Sequence, residues 1–345
     1  METVEHLIVG AGPAGLRAAQ VLAEAGREVL VVEKHSEIGP KTCAGGLTPK
    51  SVALLRGLGL PETAGLSRVG QVAFAPGHPV VLDPDSTTVV TLSRRELGRY
   101  QAAWTRAAGA EVRAGCTARD LDVAGRTAVV GGTRMGWRHL IGADGSDSAV
   151  RRTLGLPSPR GYFAAEYNIP AVRIEPLRVE CDLSLGGGYF WVFPHDEYTS
   201  VGAVAPKHVL RPAALRAYLD ALVEGLRLAA HGQPFEAATL EVEFRGLHFA
   251  GGVHLAGDAA GAPSALTAEG IYSALVTGEA VGRGILDPSW PAPRLRRWLR
   301  VKRRHDGFAA LLRRSRGRAV ALPVLDRLSG WRPARRPMAD WFLAG

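Results

Sequence analysis

A run of small residues, Gly10-Ala11-Gly12-Pro13-Ala14-Gly15, lies between an apolar stretch, His6 to Val9, and an alanine-rich one, Leu16 to Ala25. Each position has a use in holding a phosphate. Gly10 allows a tight turn, Gly12 lets the backbone approach a pyrophosphate, and Gly15 lets a helix pack closely on the preceding strand. The helix start after Pro13 would offer free N–H groups and the positive end of its dipole to the anion. A second apolar run, Val29 to Val32, ends at Glu33, eighteen residues past Gly15. A carboxylate there accepts hydrogen bonds from ribose hydroxyls and disfavours a 2′-phosphate. Strand, turn, helix, strand and acid in this order predict a dinucleotide site.

Two later segments select FAD over NAD. In Leu140-Ile141-Gly142-Ala143-Asp144-Gly145-Ser146, an apolar strand delivers an Asp-Gly turn, and Arg151 and Arg152 follow. In Val253-His254-Leu255-Ala256-Gly257-Asp258-Ala259-Ala260-Gly261, another strand ends in Gly-Asp before a helical pattern from Thr267 to Leu286. Asp144 and Gly145 read either as part of the site or as a plain turn. The G-x-G-x-x-G spacing occurs only once, so a nicotinamide donor has no dedicated domain. NAD(P)H visiting transiently and a ferredoxin-like donor both remain open as the reductant.

Positioning these residues requires an α/β frame: an FAD-binding Rossmann-type domain interrupted by an antiparallel β-sheet. The expected boundaries are 1–70, 92–160 and 245–290 for the FAD-binding part, 71–91 and 161–244 for the substrate sheet, and 291–345 for a basic helical segment. Period-two patterns predict strands at Tyr162–Val172, Arg178–Leu185, Tyr189–Phe193 and Thr199–Ala205, with turns at 186–188 and 194–197. Val72, Phe74, Val80, Leu82, Val89 and Val90 suggest further strands between Gly70 and Thr91. Tyr189, Trp191 and Phe193 share one face of their strand, and Phe190 and Val192 take the other. The aromatic face fits either a sheet covered by core or the wall of an apolar substrate cavity.

The 345 residues, 46% hydrophobic and 22% charged, exclude a disordered protein, and forty-two glycines without a triplet period exclude a collagen. No stretch of about twenty uncharged apolar residues predicts a transmembrane helix. The start METVEHLIVG lacks a basic leader, so the chain is expected to be unprocessed and cytoplasmic, with a peripheral place on the inner face of the membrane as the one departure. Cys43, Cys116 and Cys181 are too far apart in sequence for a zinc spacing or a disulfide framework. Residues 291–345 carry fifteen Lys/Arg against Asp306, Asp326 and Asp340, a net +12, which leaves residues 1–290 at −3. Leu295, Trp298, Leu299 and Val301 interleave with the charges as in an amphipathic helix with a cationic face. A solvated helix on the FAD domain, a dock for anionic membrane and an attractor of a diphosphate head group all fit. Nucleic-acid binding is not expected, because no recognition helix or aromatic-interleaved sheet accompanies the charge.

Three stretches, taken in order, resemble the FAD-dependent geranylgeranyl reductases of the hydroxylase-like superfamily. Lys41-Thr42-Cys43-Ala44-Gly45-Gly46-Leu47-Thr48-Pro49 is similar to a segment beside the flavin. Tyr189-Phe190-Trp191-Val192-Phe193-Pro194, with Gly202 after seven more residues, is similar to the Y-x-W-x-F-P…G-x-G signature. Ala268-Glu269-Gly270-Ile271-Tyr272-Ser273-Ala274 is similar to the G-E-G-I-Y-x-A helix start. The resemblance runs from residue 1 to about 285. Val204 and Ala268 depart from it, each standing where the family has glycine.

The resemblance implies reduction of isoprenoid C=C bonds by reduced FAD, on a prenyl diphosphate, prenylated lipid or quinone. It implies that Gly10, Gly12, Pro13, Ala14, Gly15, Glu33, Lys34, Arg94, Ala118, Asp144, Gly145, Asp258, Gly270 and Ile271 hold FAD. Cys43, Ala44 and Gly46 would border the flavin, with Cys43 the candidate catalytic residue, although a small buried residue reads equally well there. Tyr189, Trp191, Phe193 and Gly202 would bind substrate. Tyr189 is a second candidate proton donor, and His195 and His208 are expected on surface loops. A flavin monooxygenase is the alternative. Those enzymes tend to carry a His where this chain has Gly261. A halogenase would want W-x-W-x-I-P in place of the Tyr189–Pro194 run.

Overall fold

The computed structural model describes residues 1–64, 67–69, 71–72, 80–81, 89–157, 161–172, 174, 177–230 and 232–343. Phe74 and Leu82, expected in strands, lie outside the described residues. The first sheet is built on parallel strands in the order Val253–Leu255, Thr133–Gly142, Thr3–Val9, Val29–Val32 and Glu111–Arg113. His248–Phe249 pairs antiparallel at one edge, and the hairpin Ala118–Asp122/Thr127–Val130 extends the long strand. The strands are continuous apolar runs because helices cover the sheet, as a parallel sheet requires. Leu7, Ile8, Val31, Leu140 and Ile141 are fully buried in one cluster with Leu16, Ala18 and Leu22 of the nucleotide helix Pro13–Glu24 and Ala274, Ala280 and Val281 of the helix Ile271–Leu286. The latter starts four residues later than the Thr267 that the pattern suggested, because Thr267 ends a turn and 268–270 are irregular.

A row of histidines crosses this sheet, one from each of four neighbouring strands. His6 stacks on His139 at 5.1 Å, His139 Nδ1 meets His254 Nε2 at 3.1 Å, and His254 Nδ1 meets His248 Nδ1 at 2.9 Å. Burial holds all four below the usual histidine range, with His254 down to about 3. The four rings are therefore neutral, and the two nitrogen–nitrogen contacts are ordinary donor–acceptor pairs.

The second sheet is antiparallel, in the order Arg178–Cys181, Tyr189–Pro194, Tyr198–Pro206, Gly161–Pro170 and Glu236–Glu241. Four of its strands match the expected ones. The fifth, Glu236–Glu241, was not expected, and residues 183–185 form a short 3₁₀ turn. Its back is covered by a helix, Pro212–Gly225, whose Leu215, Leu219 and Val223 pack on Phe190, Val192, Val201 and Ala203. Each such buried side chain contributes roughly 1.5–3 kcal/mol. Val89–Thr91 joins a separate small sheet with Gly46–Leu47 and Ser67–Val69. Three helices, Pro293–Arg313, Ser315–Gly330 and Arg332–Leu343, end the chain.

Candidate active site

At the nucleotide end, Gly10 has φ +103° and a side chain there would meet the Ala143 carbonyl oxygen at 2.4 Å. At Gly15 a Cβ would lie 2.0 Å from the Gly10 carbonyl oxygen, so helix and turn touch backbone to backbone. In front of Gly12, by contrast, no described residue stands within 4 Å, and among the described residues no side chain caps the helix that begins at Pro13. Glu33 ties the turn to the second strand by accepting from Ala11 N–H at 2.9 Å and His35 N–H at 3.0 Å. Cys116 N–H donates to the Glu33 carbonyl at 2.8 Å, which brings the approach to Ala118 beside Glu33 and the exposed Lys34.

Asp144 serves the fold directly. Its carboxylate accepts from Ser148 Oγ–H at 2.5 Å and from Ala149 N–H at 2.6 Å, capping the short helix Ala149–Thr153. Burial raises its pKa against those bonds. Gly145, with φ +79°, completes this turn. Arg151 is 2% exposed and donates to the carbonyls of Ser146, Asp258 and Ala259. It clamps the two Asp-bearing turns together. Asp258 is 8% exposed and pairs with Lys41 Nζ at 2.7 Å.

The loop from Lys41 to Gly46 is held from the antiparallel sheet. Glu166, 1% exposed, accepts from Cys43 N–H at 2.7 Å and from Ser200 Oγ–H at 2.7 Å. Ser200 in turn accepts from the Trp191 indole N–H at 2.9 Å. One carboxylate thus joins the loop to the aromatic strand. Burial pushes its pKa up to about 7, against the hydrogen bonds from Ser200 and Cys43. One residue along, the Ala44 carbonyl bonds His195 Nε2 at 2.9 Å. His195 is 4% exposed and stacks on Tyr198 at 4.3 Å, which corrects its expected place on a surface loop. His208 is exposed, as expected.

One cleft, partly open to solvent, reaches from Pro13 of the nucleotide turn past Asp258 to the Lys41–Gly46 loop. Pro13, Lys41, Cys43, Ala44, Gly46, Arg94, Asp258, Gly270 and Ile271 line it together with Tyr189, Trp191 and Phe193. Most of the remaining lining is apolar: Val89, Leu177, Val179, Val204, Leu240 and Leu266. Tyr189 donates its hydroxyl to the Thr267 carbonyl at 2.8 Å, and burial raises its pKa, so this phenol is held as a neutral wall residue. Gly202 lies beneath Trp191, where a Cβ would come within 2.1 Å of the indole; it makes room for the ring. Glu269, missed as a polar element of the cleft, accepts from Thr48 Oγ–H at 2.6 Å and pairs with Lys50 at 3.0 Å. Lys50 itself rests over the rings of Tyr272 and Trp298.

The residues present fit FAD on three observations. The space before Gly12 is open, the nucleotide helix is uncapped by any side chain, and the Arg94 Nε is buried without a hydrogen-bond partner among the described residues while its side chain lines the cleft. A guanidinium so placed awaits an acceptor.

Sequence reasoning missed Glu166, His195 and Arg151 as organisers of the site. Only Glu166 left a trace, as the one acid inside the mostly apolar strand stretch Tyr162–Ile169. The C-terminal segment also differs from expectation. The inward face of its first helix is Trp298, Lys302, His305, Ala309 and Leu312, so a lysine and a histidine stand where an apolar stripe was read.

Residues 3–278 match the model of a family described as an FAD binding domain. The chain is 32% identical over 301 residues to digeranylgeranylglycerophospholipid reductase 1 of Methanopyrus kandleri, covering 80% of this chain and 78% of that one. It is 30% identical over 342 residues to the menaquinone reductase of Mycobacterium tuberculosis, covering 88% and 83%. Among solved structures, a geranylgeranyl bacteriochlorophyll reductase-like protein of Thermoplasma acidophilum superposes with a TM-score of 0.78 at 23% identity, over 96% of this chain and 91% of that one. PqsL of Pseudomonas aeruginosa, titled a probable FAD-dependent monooxygenase, superposes at 0.65 with 19% identity, over 92% and 99%.

Proposed function

Because the chain belongs to the FAD-dependent geranylgeranyl reductase family, we propose that it saturates carbon–carbon double bonds of a prenyl chain carried by a diphosphate, a lipid or a quinone. The observation that carries this reading is the continuity of the cleft: Pro13, Arg94, Asp258, Gly270 and Ile271, of the residues suited to hold FAD, and the aromatic face of Tyr189, Trp191 and Phe193 line one cavity. Reduced FAD, when bound, supplies a hydride. An isolated alkene gives the protein no polar handle, so the chain's residues act by burying it, orienting it and excluding water. Each CH₂ moved from water into such a cavity gains about 0.8 kcal/mol, and a prenyl chain has many.

The roles of the individual residues follow. Gly12 and the helix start take the pyrophosphate, Glu33 a ribose, and Arg94 and Asp258 the remaining polar groups of FAD. Lys41, paired with Asp258, would stand beside the FAD groups that Asp258 holds. Cys43 faces the cleft on a loop whose backbone Glu166 and His195 fix.

The test is anaerobic. The purified protein with chemically reduced flavin is given geranylgeranyl diphosphate, a geranylgeranylated glycerolipid and menaquinone, and the products are weighed by mass spectrometry. A gain of hydrogen pairs is expected on at least one. Gain of an oxygen atom in air with NADPH, and of no hydrogen anaerobically, would move the chain to the monooxygenases that its fold also resembles.

The substrate's home in lipid suggests the partner of the C-terminal helices. Val320, Val324 and Trp331 are 69%, 52% and 61% exposed on or just after the helix Ser315–Gly330, beside the exposed Arg316 and Arg327. No helix among the described residues is long and apolar enough to cross a membrane. We propose that this face rests on an anionic bilayer surface, and that sedimentation with phosphatidylglycerol vesicles exceeds that with phosphatidylcholine and falls in Val324→Asp.

A further inference from the structure

The first C-terminal helix lies along the segment 262–265. Trp298 Nε1–H donates to the Ala262 carbonyl at 3.1 Å, and Lys302 Nζ donates to the Pro263 and Val242 carbonyls at 2.7 and 2.5 Å. His305 Nδ1 meets Ser264 Oγ at 3.0 Å, and Asp306 accepts from Ala265 N–H at 3.0 Å. The helix is therefore fixed residue by residue to the start of a strand of chain that goes on to line the cleft with Leu266, Thr267 and Ala268.

The last helix returns to the same place. The Trp341 carbonyl bonds His305 Nε2 at 3.1 Å, and the Trp341 ring packs edge-on against His305 at 5.2 Å and Phe308 at 5.5 Å. These contacts seat its neighbour Phe342 in the cleft wall. Phe342 is 5% exposed and belongs to the same apolar cluster as Leu177, Trp191, Phe193 and Val204. It lies outside residues 3–278, the part of the chain that matches the FAD-binding family.

We propose that Phe342 determines substrate length: the C-terminal helices hold it as a fixed wall of the apolar cavity, and it limits how much chain can be buried there. The proposal rests on the prenyl-reductase reading of the cleft. Its physical basis is that packed interiors do not stretch. A chain gains from each added group until it meets a wall that cannot yield, and further groups then remain in water or force strain. The wall is firm because His305 is tied on both ring nitrogens, to Ser264 on one side and to Trp341 on the other.

The experiment is binding to FAD-loaded protein, read by the change in flavin absorbance, with geranyl, farnesyl, geranylgeranyl and geranylfarnesyl diphosphates as probes. The wild type should tighten by tenfold or more along the series and then level off at one length. Phe342→Ala should move that length to a longer homologue, and Phe342→Trp to a shorter one. Phe342→Leu, a milder change, keeps the comparison valid where the alanine variant does not fold. The same levelling point in all folded variants would overturn the proposal and leave Phe342 as core. Absence of binding by every probe to the wild type would rule out prenyl diphosphates and overturn this inference, while the anaerobic assay on the lipid and the quinone separately decides the prenyl reading.

Discussion

The nucleotide turn and the clamped loop beneath Cys43 face the same cleft, yet they are built by opposite means. The turn from Gly10 to Gly15 is specified by the missing side chains of residues close in sequence. Its tightest approach, Gly15 on the Gly10 carbonyl oxygen, is internal to the motif. The loop from Lys41 to Gly46 is specified by side chains far away: Glu166 takes the Cys43 N–H across 123 residues, and His195 takes the Ala44 carbonyl across 151. Gly10 and Gly15 tolerate no added atom, against the Ala143 and Gly10 carbonyl oxygens, whereas no described residue crowds Gly12. A loop held from a distance tolerates changes within itself and fails when its distant anchors are removed.

The largest effect is expected at the turn. Gly15→Val places atoms onto a backbone oxygen that cannot move aside, so a loss above ~3 kcal/mol is expected, with no FAD retained on purification. Normal flavin content in that variant would show the turn to be adaptable and would dissolve the contrast.

Next comes the aromatic wall. Trp191→Ala removes a 5% exposed indole and should cost about 3–5 kcal/mol. Prenyl turnover should be lost while FAD stays bound. Loss of FAD would instead make Trp191 part of the cofactor domain's core.

The anchors differ in their response to pH, which sharpens the comparison. Glu166 has its folded pKa raised to about 7 from 4.5. The native state therefore holds a proton that the unfolded chain has released, and stability falls as pH rises from about 4.5 to 7, by on the order of 3 kcal/mol. Glu166→Gln should flatten that slope in thermal unfolding and retain flavin, whereas Glu166→Ala should loosen the loop at every pH. An unchanged slope in Glu166→Gln would mean that the carboxylate is already ionised in the fold.

The histidine row of the parallel sheet has the opposite sign. His254 is held neutral, its folded pKa lowered from 6.5 to about 3, by burial and by His248, His139 and His6. Its contribution is complete above pH 6.5 and is lost as pH falls toward 3, about 2 kcal/mol of it by pH 5. His254→Gln should lessen the acid loss, measured as the midpoint of urea unfolding at pH 5 against pH 7. An acid limb as steep as the wild type's would assign the loss to other groups.

Much of the cofactor half was legible in the sequence, because its signals are local. Alternation placed Tyr189, Trp191 and Phe193 on one face, and the cleft lies on that face. The parallel strands read as apolar runs because both of their sides are covered. What could not be read was which polar residues are buried. Glu166, His195, Lys302 and His305 have compositions typical of a surface, and only their partners on distant segments make burial affordable. The same applies to the basic tail, where a count of charge says nothing about which lysine points inward.

The chain by itself determined the order of its cofactor motifs and most of the strands around them, since glycine spacing and hydrophobic period act within a few residues. Only the tertiary structure decided that Arg151 clamps the two Asp-bearing turns, that one carboxylate joins the Cys43 loop to the cavity wall, and that the last helix lines the cleft with Phe342. Those are pairings between segments distant in sequence, and a hydrogen bond or a packed wall exists only once both partners have been brought within a few ångströms of each other.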